Sequence, residues 1–178
     1  MGLVTLPTFR YHPDPLKSKV VAASTGPCPR CGLDRGLAYT GPVYAIEHVT
    51  GLCFPCIADG SAAYKWDLEF VNPYGPEPLD DAARRDELLH RTPGYFSAQG
   101  DPWPVHCADY CALLGPVVWD DISHIEAELA ADLSRVATSL EICLADLLSD
   151  LKRPASPLWA HLFQCLGCSR HRLVADYE

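Results

Sequence analysis

Two pairs of closely spaced cysteines are the residues of this sequence with the clearest chemistry. Cys28 and Cys31 form one CxxC pair, and Cys53 and Cys56 form another after 21 intervening residues. Four thiolates at the corners of a tetrahedron are a common ligand set for Zn²⁺. A proline inside each pair stiffens the turn that presents the two sulfurs, because its ring fixes φ. The spacing therefore predicts a zinc site, with two redox motifs or two disulfides as the alternatives.

A third CxxC pair near the end of the sequence predicts a second zinc site, which needs two more ligands. The nearest thiols lie at positions i and i+4, a spacing that places both on one face of a helix. A histidine could replace one thiolate, since imidazole is also a zinc ligand. The preferred ligands are Cys107, Cys111, Cys165 and Cys168, with His106 or His171 as possible substitutes. The alternative is one zinc ion and scattered buried cysteines.

Both predicted sites have four protein ligands, which is typical of structural rather than catalytic zinc. The formal net charge is −9 with the cysteines neutral. Four thiolates around each of two dications would make it about −13. Such a charge repels phosphate backbones and favours basic partners. Nucleic acid is therefore a disfavoured partner, although zinc ribbons often bind it.

Length and composition are those of an ordinary globular protein of 178 residues with 48% hydrophobic residues. We expect one domain over residues 1–178, with the first pair of zinc knuckles in 1–70 and a helical part plus the second knuckle in 100–178. The sequence shows no signal-peptide pattern and no long apolar window. We therefore expect a cytoplasmic protein with reduced or metal-bound cysteines. Cys143 is expected to be a small core residue.

The periodicity of apolar residues predicts an α+β fold in which small antiparallel, zinc-ribbon-like sheets pack with helices. A helix running from just after Cys56 to Phe70 contains Gly60, which favours a bend or a late start. The other predicted elements are an extended arm over 3–15, a hairpin of strands 36–40 and 43–47, a helix over 81–90 capped by Asp80, a helix starting at 106–111, one long amphipathic helix over 121–151 or two broken near Thr138–Ser139, and strands 158–164 and 172–177.

Several segments resemble CbrC-like bacterial proteins, a family described by three CxxC motifs. The matching segments are Leu6–Tyr11 with Asp14-Pro15, Thr40–Tyr44, Cys53–Ala63, Arg91–Tyr95, Trp103–Cys107 and Leu162–Cys168. The resemblance covers nearly the whole chain except about residues 116–157. The namesake is linked to tolerance of an E-type DNase colicin, and no enzymatic activity is established for the group. The resemblance thus implies a toxin-neutralising or immunity-like role.

We therefore expect a non-enzymatic, zinc-stabilised binding protein that gives tolerance to a nuclease bacteriocin. Such toxins are basic because they hold nucleic acid, and an acidic protein can reach a basic surface quickly through electrostatic steering. The candidate contact surfaces are the loop around Tyr74 and an acidic helix face of Asp120, Asp121, Glu126, Glu128 and Asp132. The sequence does not determine which of these surfaces contacts the toxin, and it does not determine the oligomeric state.

A zinc-ribbon regulator that binds nucleic acid or protein is the first alternative. Binding nucleic acid would need a basic patch, because phosphate contacts dominate that affinity. The two short candidate groups are Arg84, Arg85 and Arg91, and Lys152, Arg153, Arg170 and Arg172.

A zinc-dependent deaminase or hydrolase is the second alternative. His124-Ile125-Glu126 followed by Cys165 and Cys168 resembles the deaminase pattern in outline. Gln164 stands where that pattern has proline, and the residues after Cys168 have the pattern of a strand rather than a helix. These departures make the catalytic interpretation the weaker one.

Overall fold

The computed structural model describes residues 6–98 and 100–178, so residues 3–5 of the predicted arm lie outside the described part. Within it the fold is α+β, as predicted. The helices are α1 (Phe54–Ala58), α2 (Ser61–Trp66), α3 (Ala82–Arg91), α4 (Trp119–Ile122), α5 (Glu126–Ser139) and α6 (Leu144–Lys152). The strands are β1 (Val21–Ala23), β2 (Leu37–Tyr39), β3 (Val105–His106), β4 (Asp109–Tyr110), β5 (Ala112–Val117), β6 (Leu158–Gln164) and β7 (His171–Tyr177).

The described strands form three small antiparallel sheets. β1 pairs with β2, β3 pairs with β4, and β5, β6 and β7 form a sheet in that order. Side chains alternate across β6, since Phe163 faces one hydrophobic cluster while Ala160 and Leu162 face another. The three-stranded sheet therefore separates two cores, and α5 and α6 cover one of its faces.

The core around the first two cysteine pairs is here called the first core, the core that contains Phe163 the second, and the core beneath α5 and α6 the third. The aromatic centre of the first core is Phe54, which lies edge-on to Phe9 and Tyr39 at centroid separations of 6.2 and 6.1 Å. The N-terminal arm links this core to the next one, because Phe9 is buried in the first and Tyr11 in the second. The carbonyl of Tyr11 also accepts a hydrogen bond from the N–H of Leu113 at 2.8 Å. The predicted arm thus packs onto the protein over its described residues.

The predicted hairpin of strands 36–40 and 43–47 is wrong. β2 pairs instead with β1, in the register Val21 to Tyr39, so the hairpin encloses the first CxxC pair. Tyr44 forms only an isolated bridge with Glu69. The sequence suggested a local turn at Gly41-Pro42, but the competing pairing places Tyr39 in the core.

The helical predictions hold with shifted boundaries. The apolar stripe over 121–151 belongs to two main helices, α5 and α6, which confirms the broken alternative. The break follows from Glu141, whose φ of 56° cannot continue a right-handed helix. The predicted helix 81–90 is α3, and Asp81 rather than Asp80 caps it by accepting from the N–H of Arg84 at 3.0 Å. The predicted helix after Cys56 is divided into α1 and α2 at Gly60, whose φ is 74°.

The predicted helix at 106–111 is also wrong, because this segment is the β3–β4 hairpin. Its two-residue turn, Cys107 and Ala108, has φ values of 50° and 56°. A tight hairpin turn of this kind needs left-handed backbone at both positions, usually from Asn-Gly or Asp-Gly. The Cys-Ala turn lacks that signal, so the local sequence did not reveal it.

None of the helices in the described residues combines the length and the apolar character that crossing a lipid bilayer requires.

Candidate metal centres

Two turns of the chain, here called knuckle A (Cys28–Leu33) and knuckle B (Cys165–Arg170), have the same backbone design. In each, the first cysteine N–H donates to the carbonyl five residues later, at 3.0 Å in knuckle A and 2.8 Å in knuckle B. The first cysteine carbonyl accepts from the N–H four residues later, at 2.8 and 3.0 Å. That later residue is left-handed in both, Gly32 at φ 72° and Ser169 at φ 61°. Each knuckle closes a β-hairpin, so both are half of a zinc ribbon.

The second half of centre 1 is a helix N-terminus. Cys53 is the N-cap of α1, and Cys56 lies one turn further on the same helix. The carbonyl of Cys53 accepts from the N–H of Cys56 at 3.1 Å, which brings both sulfurs to one side. Proline at the first turn suits this start, because its missing N–H would have no helical partner there. A stiff helical turn therefore presents two thiols to knuckle A.

The four sulfurs of centre 1 fit a tetrahedral zinc ion. The Sγ atoms of Cys28, Cys31, Cys53 and Cys56 all lie within 4.8 Å of one another. Zn–S bonds of ~2.3 Å in a tetrahedron separate sulfurs by roughly 3.8 Å, and the Sγ atoms of Cys31 and Cys53 are 3.8 Å apart. Three of the four thiols are buried and only Cys31 is exposed. This centre is part of the first hydrophobic core.

Centre 2 combines knuckle B with the β3–β4 hairpin, and its fourth residue is His106. The ligand atoms of His106, Cys107, Cys165 and Cys168 lie within 4.8 Å of one another. His106 Nδ1 is 3.3 Å from the Sγ atoms of both Cys107 and Cys168. A Zn–N bond of ~2.1 Å beside a Zn–S bond of ~2.3 Å gives a similar separation, about 3.6 Å. The donor set therefore fits zinc bound by three thiolates and one imidazole.

Cys111 is the member of the preferred second ligand set that the structure places elsewhere. The helical i, i+4 argument fails because residues 106–111 form a hairpin. Cys111 follows that hairpin with its side chain fully buried in the second core, and its carbonyl accepts the indole N–H of Trp103 at 2.8 Å. His106, named as a possible substitute, takes its place. His171, the other substitute, contacts Glu128 instead, with Nδ1 3.3 Å from the carboxylate.

Cys143 was expected to be a core residue, and that prediction is wrong. Its thiol is exposed at the N-cap of α6, where the sulfur accepts from the N–H of Asp146 at 3.4 Å. Helix α5 ends before the left-handed Glu141, so α6 needs a new N-cap whose side chain accepts from its first free N–H groups, and the Cys143 sulfur supplies that acceptor.

The thiols of centre 1 are not electrostatically equivalent. Burial raises the pKa of Cys28, but backbone N–H groups, led by that of Cys53 at 3.4 Å from the sulfur, outweigh burial and lower it to about 7. Burial, with the neighbouring thiols of Cys53 and Cys31, raises the pKa of Cys56 well above its usual range. The Cys28 sulfur therefore ionises more readily than an ordinary thiol, whereas Cys56 needs a nearby cation before it ionises.

The thiols of centre 2 also differ from one another in pKa. Burial raises the pKa of Cys165, but N–H groups, led by that of Cys168, lower it to about 6. The S–H of Cys107 donates to the sulfurs of Cys168 and Cys165, which favours its protonated form and raises its pKa to about 11. Gly167 allows this close approach, because a Cβ there would lie 3.2 Å from the Cβ of Cys107. The two halves of centre 2 are thus packed directly against each other.

Buried ion pairs hold the elements around centre 2 in place. Asp132 on α5 accepts from Arg172 Nε at 3.0 Å and from the N–H of Leu173 at 2.9 Å, both on β7. Arg172 also donates to the carbonyl of Val105 on β3 at 3.1 Å. Burial raises the pKa of Asp132, but the guanidinium groups of Arg172 and Arg135 outweigh it and hold the pKa below its usual value. Helix, sheet and hairpin are therefore joined next to knuckle B.

The residues of the deaminase-like pattern do not come together with the third CxxC pair. His124 and Glu126 belong to neither cluster of metal-ligating side chains found among the described residues. His124 lies in an exposed 3₁₀ turn before α5. Cys165 and Cys168 are instead grouped with the β3–β4 hairpin.

Comparison with known proteins places the chain among bacterial relatives. It is 37% identical over 182 residues to UPF0167 protein PA1536 of Pseudomonas aeruginosa, covering 97% of each chain. It is 36% identical over 181 residues to UPF0167 protein Mb2317 of Mycobacterium bovis and to UPF0167 protein MT2352 of Mycobacterium tuberculosis, covering 97% of this chain and 94% of theirs. No solved structure matches the chain.

A family model matches residues 6–177, nearly the entire sequence. The description of that model carries neither the CbrC name nor a function. Since the model spans far more than half of the chain and the relatives exceed 30% identity, this protein belongs to the uncharacterised protein family UPF0167.

Proposed function

We propose that this protein is a non-enzymatic, cytoplasmic binding protein stabilised by two structural zinc ions, and that it neutralises a basic bacterial toxin of the nuclease bacteriocin class. The observation that carries the zinc part is the convergence of four ligand atoms at each of two places in the fold. Four protein ligands complete a tetrahedron and leave no position for substrate or water, as in structural zinc sites. The zinc ions then hold the fold, and function lies on its surface.

The toxin part of the proposal rests on charge and on the resemblance to CbrC-like proteins. The net charge of −9 becomes more negative when thiolates bind zinc. An acidic protein associates quickly with a basic partner, and exposed charges mainly raise the association rate. Asp120 and Glu126 are exposed and form no ion pair with any residue in the described ranges. They are the best remaining part of the acidic helix face, because Asp132 is buried and Glu128 is next to His171.

Four of the six arginines in the two candidate basic patches, Arg84, Arg91, Arg153 and Arg172, form ion pairs with acidic groups, which favours this proposal over nucleic-acid binding. Arg84 lies 3.2 Å from Asp81, and Arg91 lies 3.2 Å from Asp86. Arg172 is joined to Asp132. Paired guanidinium groups would need to be released before they could contact phosphates, so the electrostatic gain would be small.

Metal content of the purified protein tests the zinc part. We expect native mass spectrometry to show two zinc ions per chain. Thiol titration in denaturant that retains the metal should find two free thiols, Cys111 and Cys143, and titration after chelation should find all nine thiols. The Cys31→Ser and Cys168→Ser variants should each lose one ion. Retention of two ions by both variants, or a chain that folds identically without metal, would contradict the assignment.

Binding to basic nuclease toxins tests the toxin part separately. Calorimetry with a panel of catalytically inactive nuclease domains should give submicromolar binding to at least one, and expression should protect cells from that toxin. The Asp120→Lys/Glu126→Lys variant should slow association several-fold at low salt. Glu47→Lys, which reverses an exposed acid near the first core, is the matched control. Absence of binding across the panel together with absence of protection would overturn this function while leaving the zinc sites intact.

A further inference from the structure

A small cleft lies at the end of the three-stranded sheet, on the side remote from knuckle B. It encloses ≈ 270 Å³, below the ~300–1,000 Å³ usual for drug-sized ligands. Its walls are mainly apolar and come from β5, β6, the loop before α4 and the segment after α3. The residues that line it include Phe96, Val118, Trp159, His161, Ser18 and Lys19. This size and lining suit a molecule with a single aromatic ring.

His161 is the unusual residue in this cleft. Its side chain is 94% buried, since only 6% of the residue is exposed, and its ring is 4.4 Å from the ring of Tyr95. The ring nitrogens have no hydrogen-bond partner among residues 6–98 and 100–178. Neither ring nitrogen is among the fully enclosed side-chain atoms without a partner in the described residues, so the ring is reached from the cleft, where water or a ligand satisfies it. His161 therefore offers the cleft a hydrogen-bonding group that the protein does not use.

His12 shows how a buried histidine is satisfied elsewhere in the same region. Its Nδ1 donates to the carbonyl of Pro93 at 2.7 Å, since a carbonyl can only accept. Its Nε2 must then accept, and the Ser18 hydroxyl donates to it at 2.8 Å. Ser18 consequently presents lone pairs, not a proton, to the cleft. Of the two buried polar side chains that line the cleft, Ser18 and His161, His161 is therefore the one that can donate to a ligand.

The charges around the cleft favour an anion. None of its described lining residues is Asp or Glu, although the protein as a whole carries −9. Lys19 is exposed and forms no ion pair within the described residues. Burial, with a smaller contribution from His12, lowers the pKa of His161 to about 4, so the ring is neutral at pH 7 and donates one N–H. A neutral donor in an apolar wall beside a free ammonium group matches a carboxylate attached to a ring.

We propose that this cleft binds a small aromatic carboxylate, with the ring against Trp159 and Val118 and the carboxylate between the N–H of His161 and the ammonium group of Lys19. The apolar walls supply most of the affinity, and the two donors select the anion. This site is separate from both zinc centres, and its Val118 wall lies directly before α4, which carries Asp120 of the acidic surface.

Titration of the zinc-loaded protein with benzoate, followed by ¹H–¹⁵N NMR, tests this site. We expect saturable shifts confined to the Trp159 indole and to residues 18–19 and 117–118, with Kd in the range of roughly 0.1–1 mM for so small a ligand. Benzyl alcohol, the neutral analogue of benzoate, should bind about tenfold more weakly. Equal binding of both compounds, or shifts elsewhere on the protein, would overturn the assignment.

Two substitutions separate the roles of the donors. His161→Phe keeps a ring against Tyr95 and should weaken benzoate binding about tenfold, and Lys19→Gln should weaken it several-fold. Lys17→Gln is the matched control, since Lys17 is an exposed neighbour that pairs with Asp14, and it should leave Kd unchanged. Unchanged affinity in the folded His161→Phe protein would refute the proposal.

A third substitution keeps the test decisive if His161→Phe does not fold. Val118→Trp, at a 59% exposed position on the cleft wall, should fill the cleft and abolish binding without disturbing the core. Far-UV circular dichroism and zinc content report folding for every variant. Wild-type affinity in a folded Val118→Trp protein would also refute the proposal.

Discussion

The two candidate metal centres contain knuckles of the same backbone design, but they differ in the elements that supply their remaining ligands and in how deeply they are buried. Knuckles A and B have the same pair of backbone hydrogen bonds and the same left-handed residue. Centre 1 completes its ligand set from a helix N-terminus and lies in a hydrophobic core, with three buried thiols. Centre 2 completes its set from a two-residue hairpin turn and has two exposed thiols.

The local sequence of a CxxC turn determines the geometry of a half-site, whereas the tertiary context determines how much the bound ion stabilises the fold. A CxxC turn closing a hairpin is enough to present two sulfurs, wherever it occurs. How much stability the ion contributes depends on what must be ordered and buried around it. We therefore expect centre 1 to support the fold as a whole and centre 2 to be a more local clamp between β3–β4 and β6–β7.

The largest difference should appear when one ligand is removed from each centre. Cys53→Ser takes away a buried thiol that also starts α1, and we expect a loss of at least about 4 kcal/mol, or more than about 10 °C in Tm. Cys168→Ser removes an exposed thiol and should cost about 1–2 kcal/mol. Thermal unfolding followed by circular dichroism, with zinc content, gives both values. Similar Tm losses in the two variants would show that the centres are equivalent.

Breaking the ion pair behind centre 2 should have the next largest effect. Asp132→Asn leaves Arg172 without its buried partner and should cost about 3 kcal/mol. Because the folded pKa of Asp132 lies below its ordinary value of 3.8, its contribution is present above that pH and is lost as the pH falls through the lowered pKa. Urea unfolding at pH 7 and at pH 3 measures this, and the difference between wild type and variant should shrink at pH 3.

The Asp132→Asn variant also tests whether the ion pair acts locally. Zinc should leave centre 2 faster than in the wild-type protein, whereas release from centre 1 should be unchanged. Asp86→Asn, which breaks an exposed pair with Arg91, is the matched control and should cost less than about 1 kcal/mol. Equal acceleration at both centres would instead indicate global loosening.

Thiol reagents should distinguish the centres kinetically. Exposed Cys107 and Cys168 can be attacked without opening the fold, whereas centre 1 offers only Cys31 on the surface. With a colorimetric zinc indicator and p-mercuribenzoate in a Cys143→Ser background, which removes the exposed thiol outside the two centres, we expect one ion to be released about tenfold faster than the other, equivalent to about 1.4 kcal/mol in activation free energy. Cys168→Ser should abolish the fast phase. Persistence of both phases in that variant would contradict the assignment.

The smallest effects should come from exchanging the left-handed residues of the knuckles. Gly32→Ser puts a side chain at φ 72° in open space, so only backbone strain applies and the cost should be about 1 kcal/mol. Ser169→Gly relieves the same strain at φ 61° and should be neutral or stabilising by a few tenths of a kcal/mol, since glycine also adds entropy to the unfolded chain. Urea midpoints measure both. A neutral or stabilising Gly32→Ser, or a destabilising Ser169→Gly, would show that the knuckles are not interchangeable.

The sequence by itself determined the thiol pairs and the local shapes that depend on neighbouring residues. The CxxC spacings, the strands on either side of knuckle B and the amphipathic stripe of α5 and α6 are all short-range patterns, so they could be read directly. The ligand set of centre 1 was also accessible, because two CxxC pairs so close in sequence have few other partners.

Only the tertiary structure decided which distant elements meet. β2 pairs with β1 rather than with residues 43–47, because that pairing buries Tyr39. His106 rather than Cys111 joins centre 2, because residues 107–108 turn left-handed and the chain that follows places Tyr110 and Cys111 in the second core. Such choices depend on long-range burial, and i, i+4 spacing in a single segment carries no information about it.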